Sequence, residues 1–343
     1  MMRANLRLAA GLLAVAALSG CASGEDGEPE KNDTPSAAPA EEAPANPDER
    51  RAALAEALGE LQEQLEGSFD AEVAMAVASG DAVVTTGDEA TAQAWSTIKV
   101  PIAIAAVRED VAEDEVLDAA IRASDNDAAS ALWNALGGGL SAAGKVEEVL
   151  RDGGDDTEIV EQMLRQIETG DSDLFGMLEW PLLNQARFAS HLTCLEGAEP
   201  VAERMGDLVE EHTYGLAAID DAIAKGGWGE SDDGLYTNQQ LGTVDTEGMA
   251  IIAHPLDEDA EEAIEVLDAV AQGIEKIRAE GLVDPTPACD EPPAEPGDED
   301  EPADREDEPG AQLAPGGEAV EPATRKPAAR ITQATAGVER LNP

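Results

Sequence analysis

The sequence of 343 residues contains 74 acidic residues against 21 Lys and Arg, which gives a formal net charge of −53 at pH 7. A chain this acidic repels phosphate backbones, which argues against nucleic acid as a partner. All aromatic residues lie between Phe69 and Tyr236, and 43% of the chain is hydrophobic, so we expect the packed core around that interval.

The chain begins like an exported protein. Arg3 and Arg7 precede an apolar run, Leu8 to Leu18, that is too short to cross a membrane. We interpret residues 1–20 as a signal peptide. Leu18-Ser19-Gly20-Cys21 resembles the lipobox of bacterial lipoproteins, which implies an extracytoplasmic protein held to the outer face of the cell membrane by lipid on Cys21. An ordinary secretory signal with a chance cysteine is the alternative.

Segments rich in acidic residues and proline flank the predicted folded region. Residues 22–47 hold seven acids and five prolines, and Asp290 to Pro309 hold eleven acids and five prolines. Such segments cannot bury enough apolar surface to fold. We therefore predict a disordered tether over residues 21–47, one folded domain over residues 48–289, and a disordered tail over residues 290–343.

The cysteines suggest one disulfide. If Cys21 is acylated, Cys194 and Cys289 remain as an even pair in an oxidising compartment, which predicts a disulfide between them. Two buried free thiols are the alternative. The sequence has no CxxC, HExxH or other zinc-ligand spacing, so we expect neither a metal nor a cofactor.

The spacing of apolar residues predicts the elements in chain order: a helix, a hairpin, seven helices, three strands and a last helix. The first helix is Glu49–Leu65 and the hairpin strands are Glu72–Ala78 and Ala82–Thr86. The seven helices are Thr97–Val107, Asp114–Ala123, Asp127–Leu136, Ala142–Arg151, Thr157–Glu168, Leu182–Leu192 and Val201–Glu211. The strands are Asp220–Gly229, Leu235–Asp245 and Gly248–His254, followed by a helix over Asp257–Glu280. This order predicts an α+β sandwich, with an antiparallel sheet built from both chain ends and an inserted all-helical lobe.

A serine and a lysine are paired at the start of one predicted helix. In Ser96-Thr97-Ile98-Lys99, a spacing of three residues puts the hydroxyl and the amine on one helix face. A serine becomes nucleophilic when a neighbouring base takes its proton, and burial lowers the pKa of a lysine towards the range of such a base. The segment therefore favours nucleophilic catalysis by Ser96.

Two further segments complete a set. Ser124-Asp125-Asn126 lies in the break between two predicted helices, and Lys225-Gly226-Gly227 lies on the first strand of the last group. Motifs of the types SxxK, SDN and KTG in this order are typical of class A β-lactamases and penicillin-binding proteins. From Asp48 to Glu280 the chain resembles this superfamily of serine hydrolases, in its actinobacterial lipoprotein branch.

The resemblance implies a role for each matching side chain. Ser96 is the acylated nucleophile and Lys99 its base, and Ser124 relays the proton to the leaving nitrogen. Asn126 holds the substrate amide, and Lys225 supplies positive potential for a substrate carboxylate. We expect the Lys99 amine and the Ser124 hydroxyl to lie within hydrogen-bonding distance of the Ser96 oxygen.

The same resemblance implies the rest of the site and its ligands. The backbone N–H groups of Ser96 and Trp228 form an oxyanion hole, and Gly227 and Trp228 belong to the substrate-binding strand. The implied substrates are β-lactams or peptidoglycan-type peptides that end in D-Ala-D-Ala, without a cofactor.

Two features depart from the family pattern. Gly226 stands where the family has a Thr or Ser whose hydroxyl binds the substrate carboxylate, and no Glu-x-x-Leu-Asn string supplies the Glu that drives deacylation. The nearest string, Glu179 to Asn184, is out of register, and we interpret it as a helix entry packed by Trp180. We therefore expect acylation followed by slow hydrolysis of the acyl-enzyme.

Other interpretations stay open at this level. Ser124-Asp125-Asn126 is also a good helix cap, Lys225-Gly226-Gly227 suits a turn at a strand end, and Ser96 could merely cap a helix. Besides an enzyme, the sequence is compatible with a catalytically weak or inactive lipoprotein that binds a cell-wall peptide or a partner on the same fold. A purely structural envelope lipoprotein is a third hypothesis.

Overall fold

The computed structural model describes residues 43–87, 93–169, 175–230, 236–256 and 260–286. The helices are α1 (Pro47–Glu66), α2 (Lys99–Arg108), α3 (Asp114–Ile121), α4 (Asn126–Ala135), α5 (Gly139–Asp152), α6 (Ile159–Thr169), α7 (Leu182–His191), α8 (Glu199–Met205) and α9 (Ala260–Ala279). The strands are β1 (Ala71–Ser79), β2 (Ala82–Thr86), β3 (Ala222–Glu230), β4 (Tyr236–Val244) and β5 (Glu247–Pro255). Short 3-10 turns lie at Trp95–Ile98, Phe175–Met177, Leu192–Cys194, Glu210–His212 and Gly215–Ala218.

Helix α1 shows how the local sequence sets an element. Asn46 caps its N-terminus by accepting a hydrogen bond from the Asp48 N–H at 2.9 Å, and Pro47 occupies the first turn, where its missing N–H costs nothing. Leu54 and Leu58, one helical turn apart, are fully buried. Helix α1 thereby presents one apolar face to the sheet.

The five strands form one antiparallel sheet in the order β2-β1-β5-β4-β3. Strand β1 pairs with β5, with Val77 opposite Met249, so an N-terminal hairpin is joined to a C-terminal three-stranded meander. Strand β3 pairs with β4, with Lys225 opposite Leu241, and forms one edge of the sheet. The predicted α+β fold with a sheet from both chain ends is confirmed.

Helices cover both faces of the sheet. On one face, α1 and α9 bury Leu58 and Val270 against Met75 of β1. On the other face, Ala186 of α7 packs with Ile252 of β5. Beyond α7, the helical lobe has its own core, whose buried residues include Ile102, Trp133 and Leu150. The edge strand β3 lies beside this lobe, which is where the motif residues meet.

Two predicted helices differ from the structure. The predicted helix Val201–Glu211 is too long, because α8 ends before Gly206 and the chain then forms a separate 3-10 turn at Glu210–His212. The predicted helix Thr97–Val107 begins as the 3-10 turn Trp95–Ile98 and becomes α-helical only at Lys99. Pro101 therefore lies in the first turn of α2, where a missing N–H is tolerated.

Several predictions fall on residues outside the described ranges. These are the signal peptide (1–20), most of the tether (21–47), the tail (290–343), and both Cys21 and Cys289. The lipid anchor and the disulfide between Cys194 and Cys289 therefore stay predictions. None of the helices formed by the described residues is long and apolar enough to cross a membrane.

The packing of α1 generates a stability prediction. Leu58 is fully buried between α1, α9 and the sheet, so Leu58→Ala removes apolar contacts and leaves a cavity. We expect it to lower the free energy of unfolding by about 2 to 5 kcal/mol. Leu164→Ala on α6 is the matched control, because Leu164 is 43% exposed. Equal losses in denaturant titrations of the two variants would contradict the described core.

Candidate active site

Ser96 lies in a turn with a strained backbone. The residue before it, Trp95, has a φ of 47°, in the left-handed region that a side chain disfavours. The turn is fixed from both sides, because the Ala94 N–H donates to the Leu178 carbonyl at 2.7 Å and the Thr97 hydroxyl donates to the Ala94 carbonyl at 2.6 Å. Ser96 itself is half-buried. The turn thus holds the Ser96 side chain at the surface of the helical lobe.

Strand β3 approaches this turn closely at a glycine. A Cβ added to Gly227 would lie 2.8 Å from the Ser96 nitrogen and 3.0 Å from the Ala94 carbonyl oxygen, which are backbone atoms that cannot move aside cheaply. Only glycine lets the strand lie this near. The backbone of Ser96 and the edge strand that carries Gly227 are therefore in direct contact.

Lys99 is buried beneath the turn with 1% of its surface exposed. Its amine donates to the Ser124 carbonyl at 2.5 Å and to Asn126 Oδ1 at 2.7 Å, and lies 3.4 Å from Ser124 Oγ. Burial lowers the pKa of Lys99 to about 8, although the charge of Asp125 opposes this shift. At pH 7 about a tenth of this amine is therefore neutral and able to accept a proton, far more than at an exposed lysine.

Ser124 is carried by a short loop between α3 and α4. It has a φ of 55°, and the next residue, Asp125, caps α4 by accepting a hydrogen bond from the Ala128 N–H at 2.7 Å. Helix capping therefore explains Asp125 but not Ser124 or Asn126. The side chains of Ser124 and Asn126 point instead to buried lysines.

Lys225 reaches the same loop from the sheet. It is 2% exposed, and its amine donates to Ser124 Oγ at 2.8 Å and to the Gly226 carbonyl at 2.7 Å. Burial, and secondarily the positive charge of Lys99, holds the pKa of Lys225 well below its ordinary value. Among the described residues, neither Lys99 nor Lys225 forms an ion pair, although the charge of Asp125 acts on Lys99 from a greater distance.

The two lysines converge on one hydroxyl. Ser124 Oγ accepts from Lys225 and lies near the amine of Lys99, so its lone pairs face the lysines and its hydrogen is left for a third partner. The expected hydrogen bond between Ser96 and Lys99 is not formed: the Ser96 hydroxyl bonds to no described residue, and Lys99 is held by Ser124 and Asn126. The Lys99 amine is turned instead towards the loop between α3 and α4, where the Ser124 carbonyl and Asn126 Oδ1 accept its hydrogen bonds.

Tyr214 packs beside Gly226. Neighbouring strand residues face opposite sides of a sheet, and a Cβ added to Gly226 would lie 3.6 Å from the Tyr214 hydroxyl, in ordinary contact. That hydroxyl is buried and donates to Asn238 Oδ1 at 3.1 Å. Burial raises the pKa of Tyr214 to about 12, so the phenol stays neutral. Tyr214 therefore does not supply the cleft with the hydroxyl that Gly226 lacks.

Trp228 borders the cleft beside a residue that sequence reasoning did not select. Its side chain is 36% exposed, and its ring centroid lies 5.1 Å from that of His212, with the ring planes tilted by 55°. His212 Nδ1 lies 3.3 Å from the Arg122 carbonyl oxygen. Burial is the largest cause that lowers the pKa of His212. No motif or periodicity marks this histidine, and only the fold brings it to the cleft.

The string Glu179 to Asn184 is a helix entry, as interpreted from sequence. Trp180 is fully buried and donates through Nε1 to Asp155 Oδ2 at 2.5 Å, while Asn184 donates to the Thr157 hydroxyl at 2.9 Å. A polar cavity of about 470 Å³ beside it is lined by Thr157, Glu179 and Asn184 among others, and by none of the motif residues. Within the described ranges, no group of His, Cys, Asp and Glu is arranged to hold a metal ion.

Comparison with known proteins supports the fold. No protein-family model matches the sequence, and no curated protein matches it. Among solved structures, a class A β-lactamase from Bacteroides cellulosilyticus aligns with a TM-score of 0.51 and 13% identity, over 66% of this chain and 98% of that one. A β-lactamase from Chitinophaga pinensis and a class A β-lactamase from Mycobacterium abscessus each give a TM-score of 0.48 and 17% identity. Their alignments cover 64% and 65% of this chain, respectively, and 99% of theirs.

The chain therefore has a β-lactamase-like fold. The structure from Bacteroides cellulosilyticus supports this fold, because the alignment covers 98% of that chain. The resemblance predicted from the three motifs is confirmed at the level of the fold.

The contact between Gly227 and the Ser96 turn can be tested by a matched pair of substitutions. Gly227→Ala forces a Cβ against backbone atoms, so we expect it to lower the free energy of unfolding by about 1 to 3 kcal/mol. Gly226→Ala meets only ordinary contacts, and we expect a change within about 0.5 kcal/mol. Denaturant titration of both variants measures the difference. Equal effects would contradict the close approach.

Proposed function

We propose that the protein is a serine acyltransferase or hydrolase that forms an ester with Ser96 when it reacts with β-lactams or with peptides ending in D-Ala-D-Ala. One observation carries this proposal. Two buried lysines from different parts of the fold, Lys99 and Lys225, meet at Ser124 Oγ, beside the strand that touches the backbone of Ser96. Because burying two amines without an ion pair is costly, their convergence favours a functional cleft over a structural one.

The proposed acylation uses only residues of this chain. The neutral amine of Lys99 takes the Ser96 proton, directly or through Ser124, as Ser96 Oγ bonds to the carbonyl carbon. Ser124 then gives its proton to the leaving nitrogen as the carbon–nitrogen bond breaks, and regains one from Lys99. The backbone N–H groups of Ser96 and Trp228 stabilise the oxyanion, a contribution of about 3 kcal/mol for each donor in comparable sites.

The electrostatics of the cleft support an anionic substrate. Lys99 and Lys225 lack an ion pair within the described chain, and the surrounding protein is strongly acidic. A carboxylate arriving near Lys225 would stabilise both ammonium groups. Asn126, whose Oδ1 accepts from Lys99, keeps its side-chain N–H donors for a substrate amide carbonyl.

The cellular context belongs to the same proposal. An exported protein anchored by lipid on Cys21 would meet both peptidoglycan peptides and β-lactams outside the cytoplasm. A disulfide between Cys194 and Cys289 fits that oxidising location. Slow deacylation is also part of the proposal, because no described carboxylate bonds to Ser96, Lys99 or Ser124. If acylation does not occur, the alternative is a binding lipoprotein that holds a cell-wall peptide or a partner in the same cleft.

Acylation can be tested by intact-protein mass spectrometry after incubation with benzylpenicillin. We expect one adduct with the mass of the penicillin, which persists after free penicillin is removed because no carboxylate of the described residues bonds to Ser96, Lys99 or Ser124. Ser96→Ala should abolish the adduct. Ser130→Ala on α4 is the control, since that serine lies outside the motifs. No adduct, or an adduct that survives Ser96→Ala, would leave the binding function as the better conclusion.

The role of Lys99 predicts a pH dependence. Only its neutral amine accepts a proton, and burial places the pKa of Lys99 at about 8. Acylation should therefore rise with pH through that value and fall about tenfold for each pH unit below it. Lys145→Ala should keep this profile, because Lys145 pairs with Glu109 away from the cleft. Rates of adduct formation between pH 6 and 9 measure it, and a flat profile would exclude Lys99 as the base.

A further inference from the structure

His212 connects the two sides of the cleft. The 3-10 turn Glu210–His212 places its ring 5.1 Å from the ring of Trp228, on the strand that carries Lys225. On the other side, its Nδ1 lies 3.3 Å from the carbonyl oxygen of Arg122, in the segment that leads to Ser124. The ring therefore contacts both the segment that leads to Ser124 and the strand that carries Lys225.

One nitrogen of this ring is left for a ligand. Nδ1–H donates to the Arg122 carbonyl, and Nε2 forms no hydrogen bond with any described residue. The side chain is half-buried, so the ring retains contact with solvent. A histidine held by one nitrogen can take up a proton at the other and become a cationic donor.

The charges that face His212 explain when it takes up that proton. Burial lowers the pKa of His212 most, and the positive charges of Lys225 on β3 and Lys99 on α2 lower it further, while Glu211 in its own turn raises it. The guanidinium of Arg122 is paired with Asp207 instead. In the empty cleft the imidazole is therefore disposed to be neutral, and an anion near Lys225 would raise the pKa of His212.

We propose that His212 is a specificity-determining residue that binds the substrate carboxylate in its protonated form, beside Lys225, where Gly226 offers no hydroxyl. This inference rests on the proposed function and names the group that recognises the anionic end of the substrate. Tyr214 does not serve instead, because its hydroxyl is buried and donates to Asn238. Binding of a carboxylate thus takes up one proton at His212.

The test compares two reagents that both acylate or phosphonylate Ser96 in the full chain. Benzylpenicillin carries a carboxylate, and an uncharged alkyl fluorophosphonate does not. The ratio of their second-order rate constants cancels the common titration of Lys99 and reports recognition of the carboxylate. His212→Phe keeps a ring against Trp228 without a proton, and we expect it to lower the ratio about tenfold.

Two further measurements sharpen the test. In the unmodified protein the ratio should rise as the pH falls from about 8 to about 6, and in His212→Phe this rise should be smaller, because only Lys225 can then gain a proton beside the carboxylate. His212→Lys, which has a permanent cation, should keep a high ratio over that range. His191→Phe is the matched control, because its ring bonds to the Arg187 carbonyl on α7 rather than to the cleft, and its ratio should equal that of the unmodified protein.

The possible failures can be told apart. Adducts with both reagents and an unchanged ratio in His212→Phe overturn the role of His212 and leave the proposed function standing. The absence of any Ser96 adduct with either reagent overturns the proposed function and this inference with it. If His212→Phe does not fold, His212→Gln replaces it, and a ratio equal to that of the unmodified protein at every pH overturns the inference.

Discussion

Two positive charges buried around a single hydroxyl are the constraint on which the proposed site depends. Lys99 comes from a helix of the lobe and Lys225 from the edge strand of the sheet, and each is almost fully removed from solvent. Burial favours loss of a proton from both lysines, and the charge of Lys99 adds to this at Lys225. Hydrogen bonds to Ser124, Asn126 and backbone carbonyls, and the charge of Asp125 at Lys99, offset part of that cost. The lowered pKa of Lys99 allows its neutral amine to accept a proton nearer neutral pH, and the two lysines make the cleft attractive to anions.

The order of the strands in the sheet determines where Lys225 lies relative to the lobe. An N-terminal hairpin and a C-terminal meander meet at β1 and β5, which leaves β3 as a free edge next to the helical lobe. Small residues let that edge come close: Gly227 has no side chain to separate it from the Ser96 backbone. Distant parts of the chain are thereby combined into one cleft.

Much of this arrangement was predictable from the sequence, and the remainder depended on tertiary contacts. Element order and strand pairing followed from apolar spacing, and three short motifs indicated the fold before any comparison. The partners of Lys99 were not predictable, because Ser124 and Asn126 lie 25 and 27 residues away in the sequence and only tertiary packing brings them to its amine. His212 was also missed: a lone histidine has no periodic signal, and the predicted helix ending at Glu211 concealed the turn that delivers it.

Ser96 lies where two layers of the fold meet, since its turn belongs to the lobe while Gly227 belongs to the sheet. A ligand bound there would contact both layers at once. With a ligand that binds reversibly at this contact, the protein would resist heat and proteases better than the free protein, because ligands that bind only the native state favour it by mass action.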